Sequence, residues 1–263
     1  MRKISEGNEP KSIDDRRMFV AMITAVIGLA VVAVLAATLP EHMAKTLLDK
    51  GQGGRFPFSV QTPMWVLFFV ALGEIYVRYL AASAEARQLR MNYLPEDDRT
   101  VLVAADLGSI YGNLRKSADL RKCFLPRLID RCILQFQSSK SSEQSASLLN
   151  TSVEMFIHEV DLRYNMLRYI CWVIPSLGFI GTVIGIGSAL EFAGDPKNAT
   201  APDLLTKVTG LLAVSFEGTF LALVLASILV FLQNIVQSKE EHSLNLSAQY
   251  CLDNLINRLY VQK

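Results

Sequence analysis

The sequence has almost no surplus charge. Lys and Arg number 26 against 25 Asp and Glu, a formal net charge of +1, and charged residues make up only 19 % of the chain. A nucleic-acid binder needs a concentrated basic face to neutralise phosphates, so that class is excluded. The four cysteines, Cys123, Cys132, Cys171 and Cys251, form no C-x-x-C pair and have no histidine at zinc-ligand spacing. They read as reduced packing residues, not as a metal or disulfide framework. His42, His158 and His242 are equally dispersed, and no metal or cofactor is expected. Walker-type glycine loops, G-x-S-x-G and H-E-x-x-H are missing as well, and with them the signatures of the commonest nucleotide, serine and zinc enzymes. The chain is not read as an enzyme.

What is abundant is apolar surface. Hydrophobic residues are 51 % of the 263, which excludes disorder and points to a membrane. Residues 18–39 form a run without a charge, and about 22 residues at 1.5 Å each cover a hydrocarbon core of about 30 Å. The run is longer than a signal-peptide core, and Leu39-Pro40-Glu41 is not a small-residue cleavage site, so it is expected to stay in the protein. Residues 63–83 form a second candidate span that contains Glu74 and Arg78, an acid–base pair in the favourable order on one helical face. Residues 167–190 and 208–236 form the third and fourth, the latter carrying Glu217.

With four spans both termini lie on the side of the long middle segment. That side holds 19 Lys and Arg, including Arg2, Lys3, Lys11, Arg16 and Arg17 before span one, against 5 in the two opposite connections. The excess marks the cytoplasmic side. The expected organisation is a cytoplasmic tail (1–17), span one (18–39), a periplasmic connection (40–62), span two (63–83), a cytoplasmic domain (84–166), span three (167–190), a second periplasmic connection (191–207), span four (208–236) and a cytoplasmic C-terminal tail (237–263). In the middle segment apolar residues recur at helical spacing, as in Leu107, Ile110, Leu114 and in Leu125, Leu128, Ile129, Cys132, Ile133, Phe136, so this domain is expected to be helical. The serine-rich stretch 138–147 is expected to be a flexible break. From Leu148 the pattern is expected to run without interruption into span three. The fold class is thus an all-α integral membrane protein with four transmembrane helices and a helical cytoplasmic domain.

Spans one and two are built of bulky aliphatics and aromatics; the other two differ. Gly178, Gly181, Thr182, Gly185 and Ser188 recur in span three at steps of three and four, and Ser215, Gly218, Thr219, Ala222 and Ala226 do so in span four. Such stripes let helices approach closely where lipid offers no hydrophobic drive. They also place Thr182 and Thr219 about 18 Å and 16 Å into their spans from opposite sides, near the bilayer midplane. Helix association and a polar pathway both remain open for them. Glu217 lies about 200° from Thr219 around its helix and is read either as a proton-access group or as an interhelical hydrogen-bonding group.

The stretch Ile174-Pro175-Ser176-Leu177-Gly178-Phe179-Ile180-Gly181-Thr182-Val183-Ile184-Gly185 resembles the proline, glycine and GTV-x-G signature of the MotA/TolQ/ExbB proton-channel family. Ala213-Val214-Ser215-Phe216-Glu217-Gly218-Thr219 resembles that family's last helix, with Thr219 at the position of its membrane threonine. Four spans are similar to the flagellar stator MotA, while the GTV-x-G wording is of the TolQ/ExbB kind and no proline ends span four as it does in MotA. The resemblance implies a homo-pentamer around two copies of a MotB/TolR/ExbD-like partner with a single span, whose Asp takes up and releases protons. It places Thr182 and Thr219 on the ion pathway opposite that Asp. This chain has no Asp inside any span, so a titrating carboxylate must be Glu217, Glu74 or the partner's. The leading expectation is a stator subunit of an ion-driven motor in a bacterial inner membrane, transporting H⁺ or Na⁺. Pro175, Gly178, Gly181, Gly185, Ser215, Gly218 and Ala222 are expected to pack helices. The alternative is a non-conducting membrane scaffold.

Overall fold

The computed structural model describes residues 11–48, 59–97, 101–116, 123–198 and 201–260. Arg2 and Lys3 of the expected N-terminal tail lie outside these residues, as do 49–58 and 199–200 of the two expected periplasmic connections. The described chain is helical: α1 (Lys11–Thr38), α2 (Glu41–Leu48), α3 (Gln61–Gln88), α4 (Ala104–Lys116), α5 (Phe124–Ser139), α6 (Ser142–Arg163), α7 (Asn165–Gly194) and α8 (Leu204–Asn254), followed by a 3₁₀ turn at Ile256–Arg258. Four helical stretches are long and apolar enough to cross a membrane. The four expected spans fall in α1, α3, α7 and α8. The chain divides into two compact units, residues 1–77 with 166–233 and residues 78–165 with 234–263.

The first unit is held by close helix contacts. A Cβ at Gly28 of α1 would stand 2.9 Å from Cβ of Phe69 in α3, and one at Gly73 would stand 2.5 Å from Cγ2 of Thr24. Spans one and two are therefore not assembled by bulky side chains alone; one glycine from each admits the other. α2, which the sequence pattern did not foretell in the connection 40–62, seats Leu48 against Val32 and Ala36. Trp65 Nε1 donates to the carbonyl of Leu47 at 3.0 Å, and Ser59 Oγ donates to that of Leu48 at 3.3 Å. These bonds occupy carbonyls that the end of a helix leaves without intrahelical donors.

The second unit has a core of long apolar side chains. Leu125, Leu128, Ile129, Cys132, Ile133 and Phe136 of α5 are buried, as are Leu149, Phe156 and Val160 of α6. The serine-rich stretch is not a flexible break. α5 runs to Ser139, Lys140 turns the chain with φ 55°, and Ser141 caps α6 by accepting from Gln144 N. Serine in that stretch caps and bonds back to the backbone, as Ser145 Oγ does to Ser141 O at 3.0 Å, so composition gave a loop where local hydrogen bonding makes a two-residue turn. α6 and α7 are separated only by Tyr164, which keeps a right-handed helical backbone while its N–H bonds the carbonyls of Asp161 and Leu162, and Ser142–Gly194 forms one 53-residue helical stretch. The 3₁₀ turn at Ile256–Arg258 is tied in by a parallel bridge between Leu102 and Leu259 and by Arg258, which donates to the carbonyl of Pro95 at 3.0 Å.

No disulfide joins the cysteines. Burial pushes the thiol of Cys132 up to about 12 and that of Cys251 well above its ordinary value, so both are inert packing groups.

Candidate functional site

The site lies where α7 and α8 meet within the first unit, and glycine makes that meeting possible. A Cβ at Gly178 would come within 2.7 Å of Cβ of Ala222 and 3.3 Å of Cα of Thr219, and one at Gly185 within 2.7 Å of Cβ of Ser215. Any larger residue would force the helices apart. Gly181 and Gly218 serve another contact: their Cβ positions lie 3.7 Å from Val60 and 3.6 Å from Gln61 Nε2, at the start of α3. The small-residue stripes therefore split between two neighbours. A step of four residues advances 400°, which offsets Gly181 from Gly185 by about 40°. Pro175 sits inside α7 and has no N–H to offer the carbonyl of Cys171.

The close approach brings Thr182 and Thr219 together. Their hydroxyls bond each other. Thr182 Oγ1 also lies 3.1 Å from Gly178 O and 3.2 Å from Ser215 O, and Thr219 Oγ1 lies 2.9 Å from Gly178 O. Two hydroxyls have two protons between them, and the mutual bond with the two carbonyls accounts for both. What the pair still has to offer is acceptor lone pairs. It can accept a proton-bearing group or contact a cation, but it can donate to an anion only by releasing a backbone carbonyl. Ser215 is buried and its hydroxyl donates to Leu211 O at 2.7 Å.

Glu217 is half-buried, off the threonine face, and its Oε2 is buried with no hydrogen-bond partner among the described residues. A carboxyl oxygen removed from water and left unpaired is costly, so the structure does not show Glu217 as a simple interhelical hydrogen-bonding group.

A second polar point, missed in the sequence reading, lies farther along the seam. Gln233 of α8 is only 6 % exposed and accepts from the thiol of Cys171 at 3.7 Å. Its signal was an amide side chain inside a candidate membrane span. Ile174, Ala222, Leu225, Ala226 and Leu229, all buried, lie between it and the threonines in the sequence of the two helices. The α7–α8 seam of one chain is thus polar at two separate points and apolar between them. Among the described residues no three His, Cys, Asp or Glu side chains converge as a metal site would require.

Comparison with known proteins gives one match. Residues 120–248 match the family model described as the MotA/TolQ/ExbB proton channel family. The matched residues include α5 to α7 and most of α8, and so the hydroxyl pair, Glu217 and the second polar point. No curated protein and no solved structure matches the chain. Through residues 120–248, which hold both glycine-mediated contacts of α7 with α8 and the paired threonines, this multi-pass membrane chain matches the MotA/TolQ/ExbB proton channel family.

Proposed function

We propose that the chain is the stator subunit of an ion-driven motor in a bacterial inner membrane. Five copies surround two copies of a single-span partner whose Asp alternates between neutral and charged forms. Both termini of this chain are cytoplasmic, on the strength of its Lys and Arg distribution. The single observation that carries this reading is the Thr182–Thr219 pair, two hydroxyls bonded to each other with their protons committed and their lone pairs left over, at a depth that the helical rise puts near mid-membrane. Such a pair accepts a hydrogen bond from a protonated partner carboxyl. It offers a carboxylate nothing without breaking a backbone bond, so it discriminates between the two states of an ion carrier. Lone pairs suit H⁺ on a carboxyl and bare Na⁺ alike, and H⁺ is favoured by the family match.

The apolar stretch between the threonines and Gln233 supports a path that leaves the seam of the single chain and uses the space between subunits and partner. Glu217 supplies a proton-access group off the threonine face, consistent with its unpaired buried oxygen. The scaffold reading draws on the same glycine contacts, since close packing alone needs no ion.

The test is the double variant Thr182→Val, Thr219→Val in the full chain, reconstituted with its partner. Valine keeps the branched shape, so pentamer yield is expected to be unchanged and ion-driven output to be lost. Full output with a normal pentamer would favour the scaffold.

A further inference from the structure

The second unit contains a buried acidic group that the proposed ion path does not use. Glu85 of α3 lies two residues beyond the expected end of span two and is 8 % exposed. Its Oε2 accepts from the backbone N–H of Phe124, the first residue of α5, at 2.9 Å. The charged groups facing it are Glu240 from α8, Arg163 from α6 and Arg127 from α5, while Lys239 of α8 donates to Ser83, half a turn earlier on α3, at 2.9 Å. Both arginines are otherwise engaged. Arg163 bridges Glu159 and Glu240, with 2.9 Å to the latter, Tyr164 OH donates to the other oxygen of Glu240 at 3.0 Å, and Arg127 is 3.5 Å from Glu159. Three carboxyls thus share two arginines, and among the described residues no salt bridge reaches Glu85. The carboxylate is compensated by the backbone N–H of Phe124 at the N-terminus of α5, where an anion is favoured, and by the weaker attraction of Arg163 and Arg127.

We propose that Glu85 is a second proton-binding site of this chain, unrelated to the membrane threonines, and that the proton it takes up from the aqueous phase tightens the second unit where α3 meets the first turn of α5. The neutral carboxyl escapes both the cost of burial and repulsion from Glu240, while its oxygen still accepts from Phe124. Burial, with Glu240 adding, raises its proton affinity to a pKa of about 7 from an ordinary 4.5. The sign follows. A carboxyl whose folded pKa is raised gives stability that is fully present below about pH 4.5 and is lost as pH rises towards about 7. Nothing in this inference depends on the ion path, so it stands or falls separately from the proposed function.

The experiment is hydrogen exchange of the full chain in phosphatidylcholine nanodiscs from pH 5 to 8, corrected for intrinsic rates and read on the peptide covering residues 123–130. One proton released on opening makes the opening constant rise by up to about tenfold per pH unit below neutrality and level off above it. Glu85→Gln should abolish that rise, and Glu240→Gln should move it to lower pH by removing the repelling charge. An unchanged rise in Glu85→Gln, a fall with pH in the wild type, or a rise lost only in Glu240→Gln would each overturn the assignment. Should Glu85→Gln fail to fold, the direction of the wild-type slope and the shift in Glu240→Gln still decide it.

Discussion

The two units bury polar groups in opposite ways. In the first, hydroxyls are satisfied by backbone carbonyls of their own and the neighbouring helix, as Thr182 and Thr219 are by Gly178 and Ser215, and contact is made by glycine against alanine or serine. In the second, charges meet charges: Arg163 spans two glutamates, and Glu240, only 1 % exposed, has both oxygens bonded. In the same unit Phe124, Phe136 and Phe156 are buried in a core of the kind found in water-soluble domains. The difference teaches what each medium rewards. Lipid gives no premium for burying apolar area, so helices there associate through close backbone approach and short neutral hydrogen bonds. In contact with water, burying large side chains is itself stabilising, and a charge can be enclosed if its partners come with it.

If that contrast is right, breaking a charge in the second unit should cost most. Glu240→Ala takes from Arg163 one of its two carboxylate partners and from Tyr164 its acceptor, and should destabilise the second unit by about 2–3 kcal/mol, at or below the low end for a broken buried pair, because Arg163 keeps Glu159 and its side chain keeps 27 % of its surface in water. Proteolytic susceptibility of residues 234–263 in nanodiscs measures it; a loss under about 0.5 kcal/mol would put the pair with surface bridges.

Steric change in the first unit comes next. Gly178→Val drives a side chain into Ala222 and the backbone of Thr219, and overpacking of this sort costs about 1–3 kcal/mol. Thermal stability of the detergent-solubilised protein should fall accordingly. Gly181→Ala is the control: its Cβ would make an ordinary 3.7 Å contact with Val60, so thermal stability should be unaffected. Equal damage from both would mean that the two glycines share one interface after all.

Removing the membrane hydroxyls should cost still less in folding, since interhelical hydrogen bonds in membranes average about 0.6 kcal/mol, although the functional loss is expected to be complete. The smallest effect is a gain. Lys140 holds φ at 55° in the turn from α5 to α6, a left-handed conformation that glycine adopts without strain, so Lys140→Gly should stabilise the second unit by up to about 1 kcal/mol. Chemical denaturation of the full chain would register it as a raised midpoint, and a lowered midpoint would show that the lysine side chain contributes more than its backbone strain costs.

The amino-acid pattern was enough to fix the number of membrane-capable helices and to put Thr182 and Thr219 at similar depth on small-residue faces; that the two hydroxyls meet came from the packed helices. Apolar runs of membrane length, with few or no charges, need only be counted, and the helical rise and repeat give depth and face. It also determined the buried face of α5, because Leu125, Leu128, Ile129, Cys132, Ile133 and Phe136 leave no other stripe to bury. Only the tertiary structure decided which neighbour each face meets. Periodicity places Gly178, Gly181 and Gly185 on adjoining strips of α7 but is silent on whether α8 or the start of α3 lies opposite, and the answer differs between Gly181 and the other two. Glu240 and Arg163, 77 residues apart, carry no shared pattern, and a lone glutamate on a long helix looks the same in sequence whether it ends in water or between an arginine and a tyrosine. Burial by a distant segment is a property of the packed chain, so the charge network of the second unit, with Glu85 beside it, became visible only once the helices were in place.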